Sequence, residues 1–283
     1  MSRIIRFEQI SFWKRALNAA RRTVGKNPLN KDPSNEWKAK MLLAEHSPIR
    51  LVEFEWTWEN IKQWVTVHLV RHHVGCEKFV HSQREDRRDL EIPRDELPQG
   101  SLNDMDMTAN AQSLIYISRK RLCSCASKET REAWMQVKEK INEIDPILAE
   151  KMVRECIYRG FCPEFMGCCG YNRTLDFKKE LVRYRNTDYN DNWLDIPEIE
   201  GIEVSRLGYL RFKDTKELIK TSIDKSNNQL FYYYPKESIR LYPSVIVYKV
   251  FGDGVFHKPN EIIHLDENNI NNHIKNLMYE SNL

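Results

Sequence analysis

Residues 46–84 read HSPIRLVEFEWTWENIKQWVTVHLVRHHVGCEKFVHSQR. The part RLVEFEWTW alternates, with Leu51, Glu53 and Glu55 set against Val52, Phe54 and Trp56, and strict alternation marks a strand. Ile61, Trp64, Val65 and Leu69 then recur at helical spacing, which predicts a helix over ENIKQWVTVHLVRHH. The helix ends in His68, Arg71, His72 and His73; a short loop with Gly75 and Cys76 leads on to Ser82, Gln83 and Arg84. A row of cationic or titratable donors followed by Ser-Gln-Arg suits a polyanion. Guanidinium forks match phosphate oxygens in pairs, and a serine hydroxyl completes the cradle. The plainer alternative is a basic helix end whose charges are solvated.

Outward from this stretch, residues 1–45 are basic and mixed. The run SNEWKAKMLLAEH starts like a helix with Ser34 as N-cap. Residues 93–107, rich in Pro, Asp and Gly, predict a loop, and 108–122 a helix. Residues 128–158 predict two helices, because Pro146 interrupts the periodicity of Trp134, Val137, Ile141 and Ile144. Residues 171–185 predict another helix. The polar stretch NTDYNDNW then reads as a linker, which places a domain boundary at about 186–192. Beyond it the chain is rich in Ile, Tyr, Val and Asn and predicts short strands. No repeat of 20–50 residues is visible.

The 283 residues are 41% hydrophobic and 11% aromatic, enough to build a sizeable core. The net charge of +3 does not by itself demand a nucleic-acid partner, since a footprint on DNA needs clustered charge. No apolar run approaches the roughly 18–20 residues that cross a bilayer, and no signal sequence is visible, so a cytoplasmic protein is expected. The seven cysteines read as reduced thiols. Cys156, Cys162, Cys168 and Cys169 lie close together, but their spacing lacks the C-x₂₋₄-C pairs usual for structural zinc, and ordinary thiols are the simpler expectation. Cys123 and Cys125 are too close for an ordinary disulfide loop.

The blocks His68-x-x-Arg71-His72-His73 and Ser82-Gln83-Arg84 resemble the pattern Q-x-x-R-H-R-x-x-S-x-N-x-x-S-x-R-Y of flavin-dependent thymidylate synthases. The step His46-Ser47-Pro48-Ile49 before a Phe-bearing strand, and the run from Gly170 through Asn172 and Arg173 to Leu181, resemble two further blocks of that family in the same order. Differences are His73 for Arg, Cys76 for Ser, Ser82 one position late, and Glu85 after Arg84. The resemblance implies an α/β (α+β) domain, a sheet flanked by helices, over residues 1–187. It implies methylation of dUMP to dTMP with FAD, methylene-tetrahydrofolate and NADPH. It implies that His68, Arg71, Ser82, Gln83 and Arg84 bind dUMP, with Arg71 and Arg84 also catalytic. Ser47, His72, His73, Asn172 and Arg173 would bind cofactor. A homo-oligomer, a tetramer in the family, would share its active sites between subunits.

A second resemblance covers residues 188–283. The stretch Trp193-Leu-Asp195-Ile-Pro197 … Glu200-Gly201 … Ser205-Arg-Leu-Gly208-Tyr-Leu-Arg211 resembles NUMOD-type modules of homing endonucleases. The stretch His264-Leu-Asp266-Glu-Asn268 … Asn271-Asn272 … Asn276-Leu277 resembles the H-x-D-G-N-x-x-N-N-x-x-x-N-L run of HNH nucleases. This implies a small α+β module binding duplex DNA, in which His264 is catalytic and His264, Asn272 and Asn276 hold Mg²⁺, an asparagine on a helix supplying one ligand. Arg206, Arg211, Lys213, Lys216 and Lys220 would face phosphates. Ile263 precedes His264 where a ligand is wanted, so efficient cutting is not expected. A DNA-binding or DNA-nicking protein with a relic synthase domain is therefore the alternative to an active synthase.

Overall fold

The computed structural model describes residues 2–87, 92–189 and 193–282. The chain divides into two compact units, Met1–Thr187 and Asp188–Leu283, both mixed α+β. No described helix is long and apolar enough to cross a membrane.

In the first unit the elements run β1 (Arg3–Ser11), α1 (Trp13–Thr23), α2 (Asn35–Leu43), β2 (Glu53–Lys62), α3 (Gln63–Val70), β3 (Cys76–Val80), β4 (Leu102–Asn110), α4 (Ala111–Arg121), α5 (Lys128–Ile144), α6 (Pro146–Lys151), α7 (Glu155–Arg159) and α8 (Leu175–Arg185). The four strands form an antiparallel sheet in the order β1-β2-β4-β3. Alternation along β2 buries Phe54, Trp56 and Trp58, and along β4 it buries Met105, Met107 and Ala109. Trp134 of α5 meets this face, its ring 6.1 Å from Trp56 and 6.5 Å from Trp58. The opposite face is laced by polar pairs across strands, Arg6–Glu55 at 2.6 Å and Thr57–Asp106 at 2.6 Å.

Several expectations are corrected here. The helix after the alternating strand begins only at Gln63, because β2 runs on to Lys62 through a bulge at Asn60. That residue has φ 58°, and its amide donates to Asp104 Oδ1 at 2.9 Å. Residues 102–107, expected as loop, belong to β4. Its aspartates face outward, so a polar composition conceals a period of two. The region 128–158 holds three helices: Pro146 opens α6, with Asp145 capping Leu148 N–H at 3.2 Å, and a break at 152–154 precedes α7. Ser34 does cap α2, accepting from Trp37 N–H at 3.2 Å.

The second unit contains β5 (Trp193–Ile196), β6 (Ile199–Ser205), β7 (Leu210–Phe212), β8 (Ser222–Ile223), β9 (Leu230–Tyr234), β10 (Ile239–Leu241), α9 (Pro243–Phe251), β11 (Ile262–His264) and β12 (Leu277–Tyr279). Its small sheets are β5-β6-β7, β10-β9-β8 and the hairpin β11-β12. Val245, Ile246 and Val247 of α9 join one core with Ile202, Val204, Leu210, Ile262 and Leu277.

Candidate functional site

Helix α3 buries Val65, Thr66 and Leu69, which leaves His68 half-buried and the C-capping Arg71 exposed. The chain then turns sharply through 72–75 onto the edge strand β3. Gly75 makes that turn. Its φ is +68°, and a Cβ there would lie 2.3 Å from Asn110 Nδ2 and 2.5 Å from Ser113 Oγ. Ser113 also donates to Val74 O, and Asn110 N–H donates to Gly75 O at 3.0 Å, so the start of α4 pins the turn.

The far end of α4 returns to the same place. Arg121 donates through Nη2 to His68 O at 2.7 Å and through Nε to His72 Nε2 at 3.0 Å. Lys78 of β3 donates to His72 O. His68 Nδ1 lies 3.0 Å from Thr130 Oγ1 of α5. Because Arg121 can only donate, His72 Nε2 is the lone-pair nitrogen, and a neutral ring carries its proton on Nδ1. Burial first, then Arg121, Lys78 and His73, push the His72 pKa down to about 4. Burial, Arg121 and Arg71 lower that of His68. Burial and Arg71 lower even that of Arg121. No carboxylate contributes to any of these shifts, and among the described residues Arg71, Lys78 and Arg121 form no ion pair. The end of α3 is thus a patch of uncompensated positive charge.

The second half of the motif lies beyond β3. Cys76 to Val80 pair with Ala109 to Met105, and His81 N–H donates to Asp104 O at 3.0 Å. At about 3.3 Å per residue the strand spans roughly 13 Å, so Arg71, His72 and His73 stand at one end and Ser82, Gln83 and Arg84 at the other. Ser82 Oγ accepts from Arg84 N–H at 3.2 Å. Arg84 grips Asp86 with Nε at 2.8 Å and Nη2 at 2.6 Å, a two-pronged grip on an anion at the surface. Ser47 is exposed at the start of the turn Ser47–Leu51. Asn172 and exposed Arg173 lie in the turn Tyr171–Arg173 before α8, where Asn172 Oδ1 accepts from Cys168 Sγ at 2.9 Å. Sequence reasoning missed Arg121 and Thr130. The basic end of α4, Arg119-Lys120-Arg121, was a visible signal for the first, and nothing local signals the second.

In the second unit, His264 is buried and its Nε2 lies 3.0 Å from Asn272 Oδ1. Burial lowers its pKa, against smaller opposing effects of Asn272 and Asp266. Asn276 accepts from Asp266 N–H at 2.9 Å and donates to Asp266 Oδ1 and Asn271 O, both at 2.8 Å. The expected helix under these asparagines is corrected: Asn272 lies in a loop and Asn276 in a single 3₁₀ turn, and both make hydrogen bonds at the β11-β12 hairpin. The cations expected to face DNA are mostly paired. Arg211 lies 2.6 Å and Lys216 3.1 Å from Glu203, Lys213 2.8 Å from Asp195, and Arg206 3.8 Å from Asp188.

No protein-family model matches the chain, and no curated protein matches it. Among solved structures it is similar to a UMP/dUMP methylase, PolB from Streptomyces cacaoi, crystallised with 5-bromo-dUMP. The two share 13% identity with a TM-score of 0.45, over 57% of this chain and 95% of the other.

Proposed function

We propose that the unit Met1–Thr187 methylates dUMP to dTMP with FAD, methylene-tetrahydrofolate and NADPH. The observation that carries the reading is the patch of positive charge at the end of α3, where Arg71, Lys78 and Arg121 converge on His68 and His72 with no carboxylate among the described residues. Such a field favours a phosphorylated ligand, and a dinucleotide with its pyrophosphate matches the donor chemistry of Arg71 and His73. FAD, when bound there, supplies the reducing chemistry.

The chain's own residues then have separable tasks. Arg121 fixes the ring of His72, so His72 acts as a neutral donor through Nδ1 rather than as an acid. Arg84 already holds a carboxylate in its fork, and a phosphate exchanges for Asp86 with the same geometry. Because β3 separates Arg71 from Arg84, one complete site takes the first from one subunit and the second from another, in keeping with the expected homo-oligomer. The test is direct. Purified protein is expected to be yellow or to take up FAD in a spectroscopic titration, and to bind dUMP in calorimetry. If neither ligand binds at high micromolar protein, the proposal is lost.

A further inference from the structure

Of the seven cysteines, six line one small pocket in the first unit: Cys123, Cys125, Cys156, Cys162, Cys168 and Cys169. They come from three places. Cys123 and Cys125 follow α4, Cys156 sits on α7, and the other three lie in the irregular chain between Gly160 and Gly170. All are free thiols. The sulfurs of Cys123 and Cys125 and the carboxylate of Glu164 lie within 4.8 Å of one another. Cys162 and Cys168 are hydrogen-bonded to each other, and Cys169 acts electrostatically on both Cys125 and Cys162. Two thiol pairs therefore line one pocket, and among the described residues Cys123, Cys125 and Glu164 form the one donor group within 4.8 Å, so a shared ion would draw the Cys162–Cys168 pair towards the Cys123–Cys125 pair.

The segment that brings the second pair is built the wrong way round for an apolar loop. Phe165 is 97% exposed and Met166 85% exposed, and beside them Cys168 and Cys169 are exposed and Cys162 half-buried while all three line the pocket. Sulfurs that gather at a pocket without being deeply buried are not explained by hydrophobic packing. Ligation explains them, because it rewards sulfur and ignores Phe. The backbone agrees. Gly160, Gly167 and Gly170 all have φ between 81° and 108°, and these left-handed turns curl the chain around its cysteines. Gly170 N–H donates to Cys168 Sγ at 3.3 Å, the kind of amide–sulfur bond that steadies a thiolate. Arg154 lines the same pocket and offsets the negative charge that a thiolate cluster carries.

We propose that Cys123, Cys125, Cys162 and Cys168 bind one Zn²⁺ as a tetrathiolate, with Cys156 and Cys169 beside it. Sulfur-only donors select a soft or borderline ion, and a closed set of four thiolates is the structural form of zinc site, holding no open position for catalysis. Each ligand thiol gives its proton to solvent as the metal binds. Glu164, 4.0 Å from Cys123 Sγ, accepts from that thiol in the metal-free arrangement and is not a ligand. The ion would clamp the 160–170 segment to the end of α4. Nothing in this assignment depends on the synthase reading.

The experiment starts with the unaltered full-length chain, purified without metal-affinity resin under reducing conditions. Elemental analysis is expected to give about one zinc per chain. Replacement by Co²⁺ is expected to give the ligand-field bands of a tetrahedral site together with sulfur-to-cobalt charge transfer. The double variant Cys162→Ser/Cys168→Ser should lose the metal, whereas Cys156→Ser and Glu164→Gln should keep it. Three results would overturn the proposal: absence of zinc with no uptake against a competing chelator, an iron–sulfur chromophore, or disulfides among these cysteines in the native protein. Zinc retained in full by the double variant would overturn the choice of ligands. The first measurement uses the native chain, so the proposal can fail even where a variant does not fold.

Discussion

The end of α3 and the second unit treat their cations in opposite ways. At the end of α3, Arg71, Lys78 and Arg121 crowd against His68 and His72, and among the described residues no acid answers them. In the second unit, Arg211 and Lys216 share Glu203, and Lys213 lies against Asp195. Arg211 also stacks 4.1 Å from the Trp193 ring. The first arrangement raises a positive potential that an anionic ligand relieves; the second holds a small sheet together. Listing basic residues along the sequence does not separate the two cases, because the distinction lies in which carboxylates fold next to them.

The largest expected effect tests whether the charged turn is held in place by its glycine. Gly75→Ala places a Cβ against Asn110 and Ser113 at a left-handed φ, and should cost about 2–4 kcal/mol by strain and displaced contacts. The counterpart in the other unit is Gly208, with φ +83° and a would-be Cβ 2.3 Å from the Asn272 Cβ. Chemical denaturation of each variant is the measurement. If Gly75→Ala alters neither stability nor dUMP binding, the turn does not position the cluster. If Gly208→Ala removes dUMP binding while Gly75→Ala spares it, the assignment of the site to the first unit is wrong.

Next come the guanidinium groups. Arg71→Ala should weaken dUMP by about 1.5–3 kcal/mol, the loss of a charge-assisted hydrogen-bond pair, and Arg84→Ala by less, because Arg84 gives up Asp86 to take the phosphate. Arg211→Ala should leave dUMP affinity unchanged, because Arg211 belongs to the second unit, where it holds Glu203. Calorimetry on the three variants sharpens the comparison, and equal losses in all three would break it.

What the sequence disclosed follows the reach of each interaction. Ser34 as a cap and the alternation from Val52 to Trp56 are local and were legible. Strand β1 was not assigned, since Arg3, Arg6 and Glu8 make it look like a solvated segment until Glu55 and Glu59 arrive from β2. The run Val245-Ile-Val247 has the β-branched composition of a strand, yet it forms α9, because Pro243 opens a helix and the small sheets cover it on several sides. At the site, the motif residues were legible as a list. That β3 parts them, that Arg121 folds back onto His72, and that Cys123 and Cys125 share a pocket with Cys162 and Cys168 are properties of the tertiary fold, with no local signature.

A smaller effect concerns pH. The folded His72 pKa lies at about 4, below the ordinary value of 6.5. The unfolded chain therefore binds the proton first, and stability falls as pH drops from about 6.5 towards 4. The full shift corresponds to about 3 kcal/mol, and with part of the ring open to solvent about 1–2 kcal/mol of loss is expected in that window. Burial lowers the pKa of His264 as well, so the second unit weakens in the same direction. The His72 ring signal in an NMR titration separates the two. Arg121→Met removes a positive neighbour and should move the His72 pKa upward. A His72 that titrates near 6.5 in the native protein would mean that the cluster is open and fully solvated.

The smallest expected effect is DNA binding by the second unit. Affinity for duplex DNA falls with salt at a slope of about 0.9 for each phosphate neutralised, so the slope counts cations that are free to leave their protein partners. If Arg206, Arg211, Lys213, Lys216 and Lys220 all faced phosphates, log K against log salt would fall with a slope of about −4.5. Three of the five are held within 3.1 Å of Glu203 or Asp195, Arg206 lies 3.8 Å from Asp188, and exposed Lys220 forms no ion pair among the described residues. Lys220 with a share from Arg206 leaves a slope of about −1 to −2. Exchanging a folded-in carboxylate for a phosphate gains little, because the ion pair given up resembles the one formed. Fluorescence anisotropy on a labelled duplex over a salt series measures the slope directly. A value near −4.5 would show that DNA strips Glu203 and Asp195 of their partners, and the contrast between the two units would then describe the free protein alone.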